Sequence, residues 1–140
     1  MTAKKRTIYI FACVLALLLG LYLYLTVNRQ ATISEWLLNY IPSWKVEMEE
    51  NIGIKLLRFY GADLIWMFSF TIAINMILNP QKKLVLLFCI TLGVLFEIMQ
   101  WMKWVNGTPD FFDVIAYSTG SAFAILFIKI IDWRVTNEKT

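Results

Sequence analysis

The sequence predicts an all-α protein: a four-helix transmembrane bundle with a short interfacial amphipathic helix between spans one and two. Three observations lead there. First, 59% of the 140 residues are apolar and mean hydropathy is +0.63, more apolar surface than a soluble domain of this size can hide. Second, the apolar residues gather into four runs, each close to the ~20 residues that a bilayer core requires. Third, basic residues such as Lys4, Lys5, Arg6, Lys82 and Lys83 sit at the ends of those runs, where they anchor and orient spans. Residues 1–140 then read as a single membrane domain.

The first span covers 7–27 and follows the Lys4-Lys5-Arg6 cluster. The apolar core of a cleaved signal peptide is shorter, ~7–15 residues, so this helix is expected to be retained. Tyr22 and Tyr24 suit the outer interface, where amphipathic rings are favoured. A long connection runs from Asn28 to about Tyr60. Within it, Thr32-Ile33-Ser34-Glu35 fits a capping box. Ile33, Trp36, Leu37 and Tyr40 recur at helical spacing until Pro42 stops the pattern. This helix, about 33–41, is too short to span. It reads as an element lying in the interface with its aromatic face in lipid, or as a lid packed on the other helices. Glu47, Glu49 and Glu50 follow and belong in water.

The second span covers 61–78, with Asp63 near its start, and Asn79-Pro80 turns the chain ahead of Lys82 and Lys83. The third covers 84–101, with Glu97 and Gln100 near its end. Asn106-Gly107-Thr108-Pro109-Asp110 makes a polar loop. Its glycosylation sequon is better read as a turn, because Asn-Gly is a strong turn pair. The fourth span covers 112–131, with Asp113 at its start; Asp132, Arg134 and Lys139 form a polar tail. The initial basic cluster, the Lys82-Lys83 turn and the tail fall on one side of a four-span chain, so the positive-inside rule puts both termini in the cytoplasm.

Several chemistries are excluded. The chain has no histidine, which removes His-based triads, HExxH zinc sites and His-ligated haem. Cys13 and Cys89 both fall within apolar runs and read as small buried residues, not a disulfide or metal pair. The net charge is only +3, and no basic face offers a path for nucleic-acid phosphates.

The polar residues inside the spans carry the functional information, because a charge there costs roughly 2.5–3.5 kcal/mol on insertion scales. Asp63 and Asp113 start inward-going spans and Glu97 ends an outward-going one, so opposite directions of travel put all three at the same outer depth. Glu97 and Gln100 share a helical face. Gly93, one turn before Glu97, admits a close neighbour, and Ala116, Gly120 and Ala124 form a small-xxx-small row. Spans three and four are therefore expected to be antiparallel neighbours that bring Glu97, Gln100 and Asp113 together, with Tyr117 on the Asp113 face and Asp63 joining if span two packs beside them. Clustered carboxylates cannot all ionise cheaply in a low dielectric. A cation joins them, with Arg58 and Lys103 as internal candidates, or one takes a proton. For Asp63 and Asp113 the plain alternative is a helix cap; for Glu97 it is snorkelling or a bond to a neighbouring helix.

From Phe96 to Gly120 the chain resembles the VanZ-like family of small bacterial membrane proteins. The resemblance rests on Phe96-Glu97-Ile98-Met99-Gln100, then Gly107, Asp110, Asp113 and Gly120, with Gly61-Ala62-Asp63-Leu64-Ile65-Trp66 similar to a second-span pattern of some members. Asp63 stands in a region where many members have histidine, and Tyr117 where many have asparagine. The resemblance implies a multi-pass protein of the bacterial plasma membrane with a cell-envelope role, and no settled reaction. Three readings stay open. In the first, Asp63, Glu97, Gln100, Asp110, Asp113 and Tyr117 bind a lipid headgroup or cell-wall precursor in an outer-face cleft. In the second, the carboxylates hold a divalent cation such as Mg²⁺, Mn²⁺ or Ca²⁺, or act as acid and base on a lipid-linked substrate, although no complete catalytic constellation is visible. In the third, the chain is a transport or partner-binding subunit acting as a homo-oligomer or beside another membrane protein.

Overall fold

The computed structural model describes residues 2–27, 51–78 and 81–137. The expected interfacial helix around Trp36 and the Asn79-Pro80 turn lie outside the described residues. The described chain forms four α-helices in sequence: α1 (Ala3–Val27), α2 (Ile52–Leu78), α3 (Lys82–Trp101) and α4 (Phe111–Asn137). Each contains a stretch long and apolar enough to cross a membrane, as befits a multi-pass membrane protein.

All four helices outrun their predicted spans, α2 and α4 by the most. α2 starts at Ile52, so most of the stretch from 51 to 60 is helix and not loop. Asn51 starts it by accepting a hydrogen bond on Oδ1 from the Ile54 N–H at 2.9 Å, the N-cap arrangement that satisfies a free backbone donor. α4 continues to Asn137, which draws Asp132 and Arg134 out of the expected tail and into the helix.

Around a small apolar core, much of the apolar surface faces outward. Large apolar side chains such as Phe11, Leu18, Leu87, Phe88, Phe123 and Trp133 are exposed on the outside, where lipid is their solvent. Buried positions mix small or polar residues with a few large apolar ones: Tyr9, Cys13 and Ala16 on α1; Ser69, Thr71 and Ile72 on α2; Val85, Cys89, Gly93 and Glu97 on α3; Ala116, Ser121, Ala124 and Ile128 on α4. The α3 set recurs every four residues, a single stripe along one face. In lipid there is no hydrophobic gain between helices, so close packing and interhelical hydrogen bonds hold the bundle.

Those bonds act as clasps, one set for each main helix pair. Between α1 and α2, Ser69 Oγ donates to the Cys13 carbonyl at 3.1 Å and Cys13 Sγ donates to the Ser69 carbonyl at 3.4 Å. Both cysteines are free and buried, as expected. Between α2 and α4, Thr71 Oγ1 meets Ser121 Oγ at 3.2 Å. The α3–α4 clasp belongs to the acidic site below. α2 and α4 form the centre; α1 packs chiefly on α2 and α3 chiefly on α4, with a looser seam between α2 and α3.

The small-residue row works differently from the expectation. α3 and α4 are neighbours, but Gly120 faces α2: a Cβ there would lie 3.1 Å from the Leu64 carbonyl carbon and 3.2 Å from the Phe68 nitrogen. Gly93 is the residue that serves the α3–α4 contact, with Tyr117 Cδ2 only 2.7 Å from where its Cβ would be.

The two ends of the bundle differ. The start of α1, the start of α3 and the end of α4 meet at one end, where Asp132 pairs with Lys5 at 3.0 Å and with Lys82, and accepts a bond from Tyr9 Oη at 3.1 Å. The Lys5 and Lys82 pairings place the N-terminal end of the bundle beside the C-terminal end of α4. The carboxylates gather at the opposite end.

Candidate functional site

Three carboxylates approach one level from three helices. Glu97 and Asp63 lie four residues inside their spans, which end at Trp101 and begin at Phe59, about 6 Å deep at ~1.5 Å per residue. Asp113 lies two residues inside the span that begins at Phe111, about 3 Å deep. The carboxyls of Asp63 and Glu97 lie within electrostatic reach of each other, and Asp113 lies within reach of Asp63, Glu97 and Asp110. Spans two, three and four pack against one another, most loosely between α2 and α3.

The carboxylates divide into two kinds by their bonding. Glu97 is 8% exposed, and both of its oxygens are engaged. Oε2 accepts the Asp110 backbone N–H at 3.0 Å, and Oε1 accepts the Tyr117 hydroxyl at 3.3 Å. Glu97 thus ties α3 to the loop and to the first turns of α4, the neighbouring-helix bond weighed from the sequence. Asp110 caps α4: Oδ1 accepts the Phe112 N–H at 2.9 Å, and its carbonyl accepts the Asp113 N–H at 3.1 Å. Asp110 Oδ2 also accepts the Tyr60 hydroxyl at 3.0 Å, which links α2 into the same network.

Asp63 and Asp113 are different. Among the described residues, neither carboxyl has a hydrogen-bond or ion-pair partner, and both are half-buried. The capping explanation fails for Asp63, because α2 begins at Ile52, three turns earlier. It fails for Asp113 as a side-chain cap, because Asp110 fills that role; Asp113 gains only the favourable field of the α4 start. Lys103, an expected internal cation, is exposed. It takes a left-handed backbone, φ 60°, just after α3, where Trp104 N–H bonds the Met99 carbonyl and Lys103 N–H bonds the Gln100 carbonyl, both at 2.9 Å. That is a Schellman ending, so Lys103 serves the helix terminus. The Arg58 side chain lies outside the described residues.

Gln100 borders this network. Its Oε1 is buried and unpartnered among the described residues. Its amide packs on Gly107, whose φ is +146° and whose Cβ, if present, would lie 2.7 Å from Gln100 Nε2. Asn106 and Gly107 lie in a bend, where the φ of +146° at Gly107 favours glycine.

A cleft of about 330 Å³ opens beside these residues, along the loose α2–α3 seam. Trp66 and Phe70 of α2 and Leu92 and Phe96 of α3 form its walls, Tyr117 of α4 its floor, and Asp63 its polar end. No group of three or more Asp, Glu or Cys side chains converges as a metal site among the described residues; a divalent cation here would need water or ligand oxygens to complete its shell.

Sequence reasoning missed Tyr60, whose only signal was an aromatic flanking a span, and the Lys5–Asp132–Lys82 group, because Asp132 sits past the predicted end of span four.

Fold and site together define a multi-pass, all-helical membrane protein with a polar-ended cleft at one end of its bundle. No protein-family model, no curated protein and no solved structure matches the chain.

Proposed function

We propose that the chain is a VanZ-like protein of the bacterial plasma membrane, with both termini cytoplasmic, that binds a lipid headgroup or cell-wall precursor at an outward-facing acidic cleft. The observation that carries this reading is the division of labour among the carboxylates. Glu97 and Asp110 are consumed in building the site, whereas Asp63 and Asp113 are held at the same level with nothing in the described protein to satisfy them. Carboxyls inside a span are costly and need a compensating partner, and a ligand entering from the membrane supplies one. The orientation is supported by the basic end around Lys5 and Lys82 lying opposite the acidic end. The protein acts here as a binder, although the same carboxylates also offer acid–base groups.

Native mass spectrometry of protein extracted from bacterial membranes in mild detergent tests this. A bound amphiphile is expected on the wild type and lost from Asp63→Asn and Asp113→Asn variants of unchanged helicity. An adduct that persists in both variants, or a wild type that carries none, contradicts the reading.

A further inference from the structure

The basic end of the bundle carries a surface that the acidic cleft does not use. Lys4, Lys5 and Arg6 of α1, Lys82 and Lys83 of α3, and Lys129 and Arg134 of α4 gather there, and Asp132 is the one carboxylate among the described residues of that end. The residues after α4 add Glu138 and Lys139, whose charges cancel, and Asn79-Pro80 adds none. This end is therefore strongly cationic however its side chains pair, and it draws anionic headgroups.

Lys129 gives that attraction a place. It lies six residues inside the span that ends at Val135, about 9 Å deep at ~1.5 Å per residue, and it is exposed on the outside of α4, where lipid lies. Asp132 is one turn further on, but its carboxylate already accepts Lys5, Lys82 and Tyr9, and Lys129 has no ion-pair partner among the described residues. An unpaired charge facing hydrocarbon is costly. Snorkelling to water relieves it, but helical side chains lean toward the N-terminus of their own helix, which for α4 is the acidic end. Lys129 thus starts out leaning deeper into the span. The anion that the bilayer itself supplies to such a position is a phospholipid phosphate. A zwitterionic lipid also brings an ammonium, which the surrounding lysines repel; an acidic phospholipid does not. Leu126, Lys129 and Trp133 follow one another by a turn and are all exposed, so they form one outward stripe. It offers acyl contact, a cation and an indole N–H donor in the order in which a phospholipid presents its parts.

Independently of the acidic cleft, we infer that an acidic phospholipid docks on the outer face of α4 at the basic end, its phosphate on Lys129 and Trp133 and an acyl chain along Leu126. Trp133 gives a direct readout. A variant keeping Trp133, with Trp36, Trp44, Trp66, Trp101 and Trp104 replaced by Phe, is placed in nanodiscs of unlabelled phosphatidylcholine. Chain-brominated phosphatidylglycerol or chain-brominated phosphatidylcholine is added in increasing mole fraction. Half-maximal quenching of Trp133 by the acidic lipid is expected at a mole fraction about fivefold lower, the factor that one basic residue contributes beside an anionic surface. Lys129→Gln should bring the two curves together, and Lys129→Arg, which keeps the charge, should hold them apart. Coinciding curves in the parent variant overturn the inference. Curves that stay apart in Lys129→Gln overturn the site at Lys129, as do curves that merge in Lys129→Arg while its helicity by circular dichroism is unchanged.

Discussion

The Glu97 clasp allows a quantitative test. Glu97→Gln keeps the shape of the side chain but removes its charge. The Gln oxygen can still accept the Asp110 N–H, and its amide can donate to the Tyr117 oxygen, so both contacts of 3.0 and 3.3 Å survive as neutral bonds. Bonds to a charged group contribute roughly 1.5–3 kcal/mol and neutral ones roughly 0.5–1.5, so each loses about 1 kcal/mol and the variant about 2. Tyr117→Phe deletes one bond outright. At 3.3 Å that bond is long for a hydroxyl donor, which sets its loss near the lower limit, about 1.5 kcal/mol. In the double variant the Tyr117 bond can be lost only once, so the total is about 2.5 kcal/mol and the coupling about 1 kcal/mol. The assay is equilibrium unfolding in mild-detergent micelles titrated with a denaturing detergent, followed by circular dichroism. Single effects that add to within ~0.3 kcal/mol refute a direct Glu97–Tyr117 bond.

Further outcomes follow from other positions. Gly120→Ala is expected to lower stability by about 1–3 kcal/mol because the new methyl meets the α2 backbone at Leu64. Gly53→Ala, which meets only Asn51 Oδ1 at 3.4 Å, should be neutral or stabilising by up to ~1 kcal/mol; unfolding of both variants checks the contrast. Lys103→Gly should stabilise by at most about 1 kcal/mol, since glycine adopts φ 60° without the side-chain penalty, and loss of stability in the same assay would argue against the Schellman ending. Asp132→Asn should weaken the attachment of α1 and α3 to the end of α4 by about 1 kcal/mol, a modest figure because Asp132 and Lys82 are about a third exposed. Limited proteolysis near Lys5 checks it, and unchanged protection counts against the bridge.

The four spans were legible because lipid demands long apolar runs, and that demand is written locally in composition. The level of Asp63, Glu97 and Asp113 was legible for a related reason: position along a span fixes depth once direction is known. What could not be read was the rotation of each helix. Ala116, Gly120 and Ala124 mark a close approach but do not name its partner, and Gly120 turned out to face Leu64 of α2. Helix ends that outrun the membrane were equally hidden, because residues 52–60 mix charge and apolar side chains, and their helicity rests on the Asn51 cap. The roles of the carboxylates depended on which of them found donors. Glu97 reached the Asp110 N–H and Tyr117, while Asp63 and Asp113 reached none among the described residues, a distinction set by a few ångströms of packing that spacing does not encode.

The central claim is that Asp63 of α2 and Asp113 of α4 share one end of the bundle. It is tested most directly by cross-linking a Cys-free background, Cys13→Ala with Cys89→Ala, carrying Asp63→Cys and Asp113→Cys. A short bifunctional thiol reagent applied to native membranes should join this pair efficiently. The pair Asp113→Cys with Asp132→Cys, nineteen residues apart on α4 and so about 28 Å at ~1.5 Å per residue, should stay unlinked. Absence of a 63–113 link under conditions where both thiols react singly would contradict the claim.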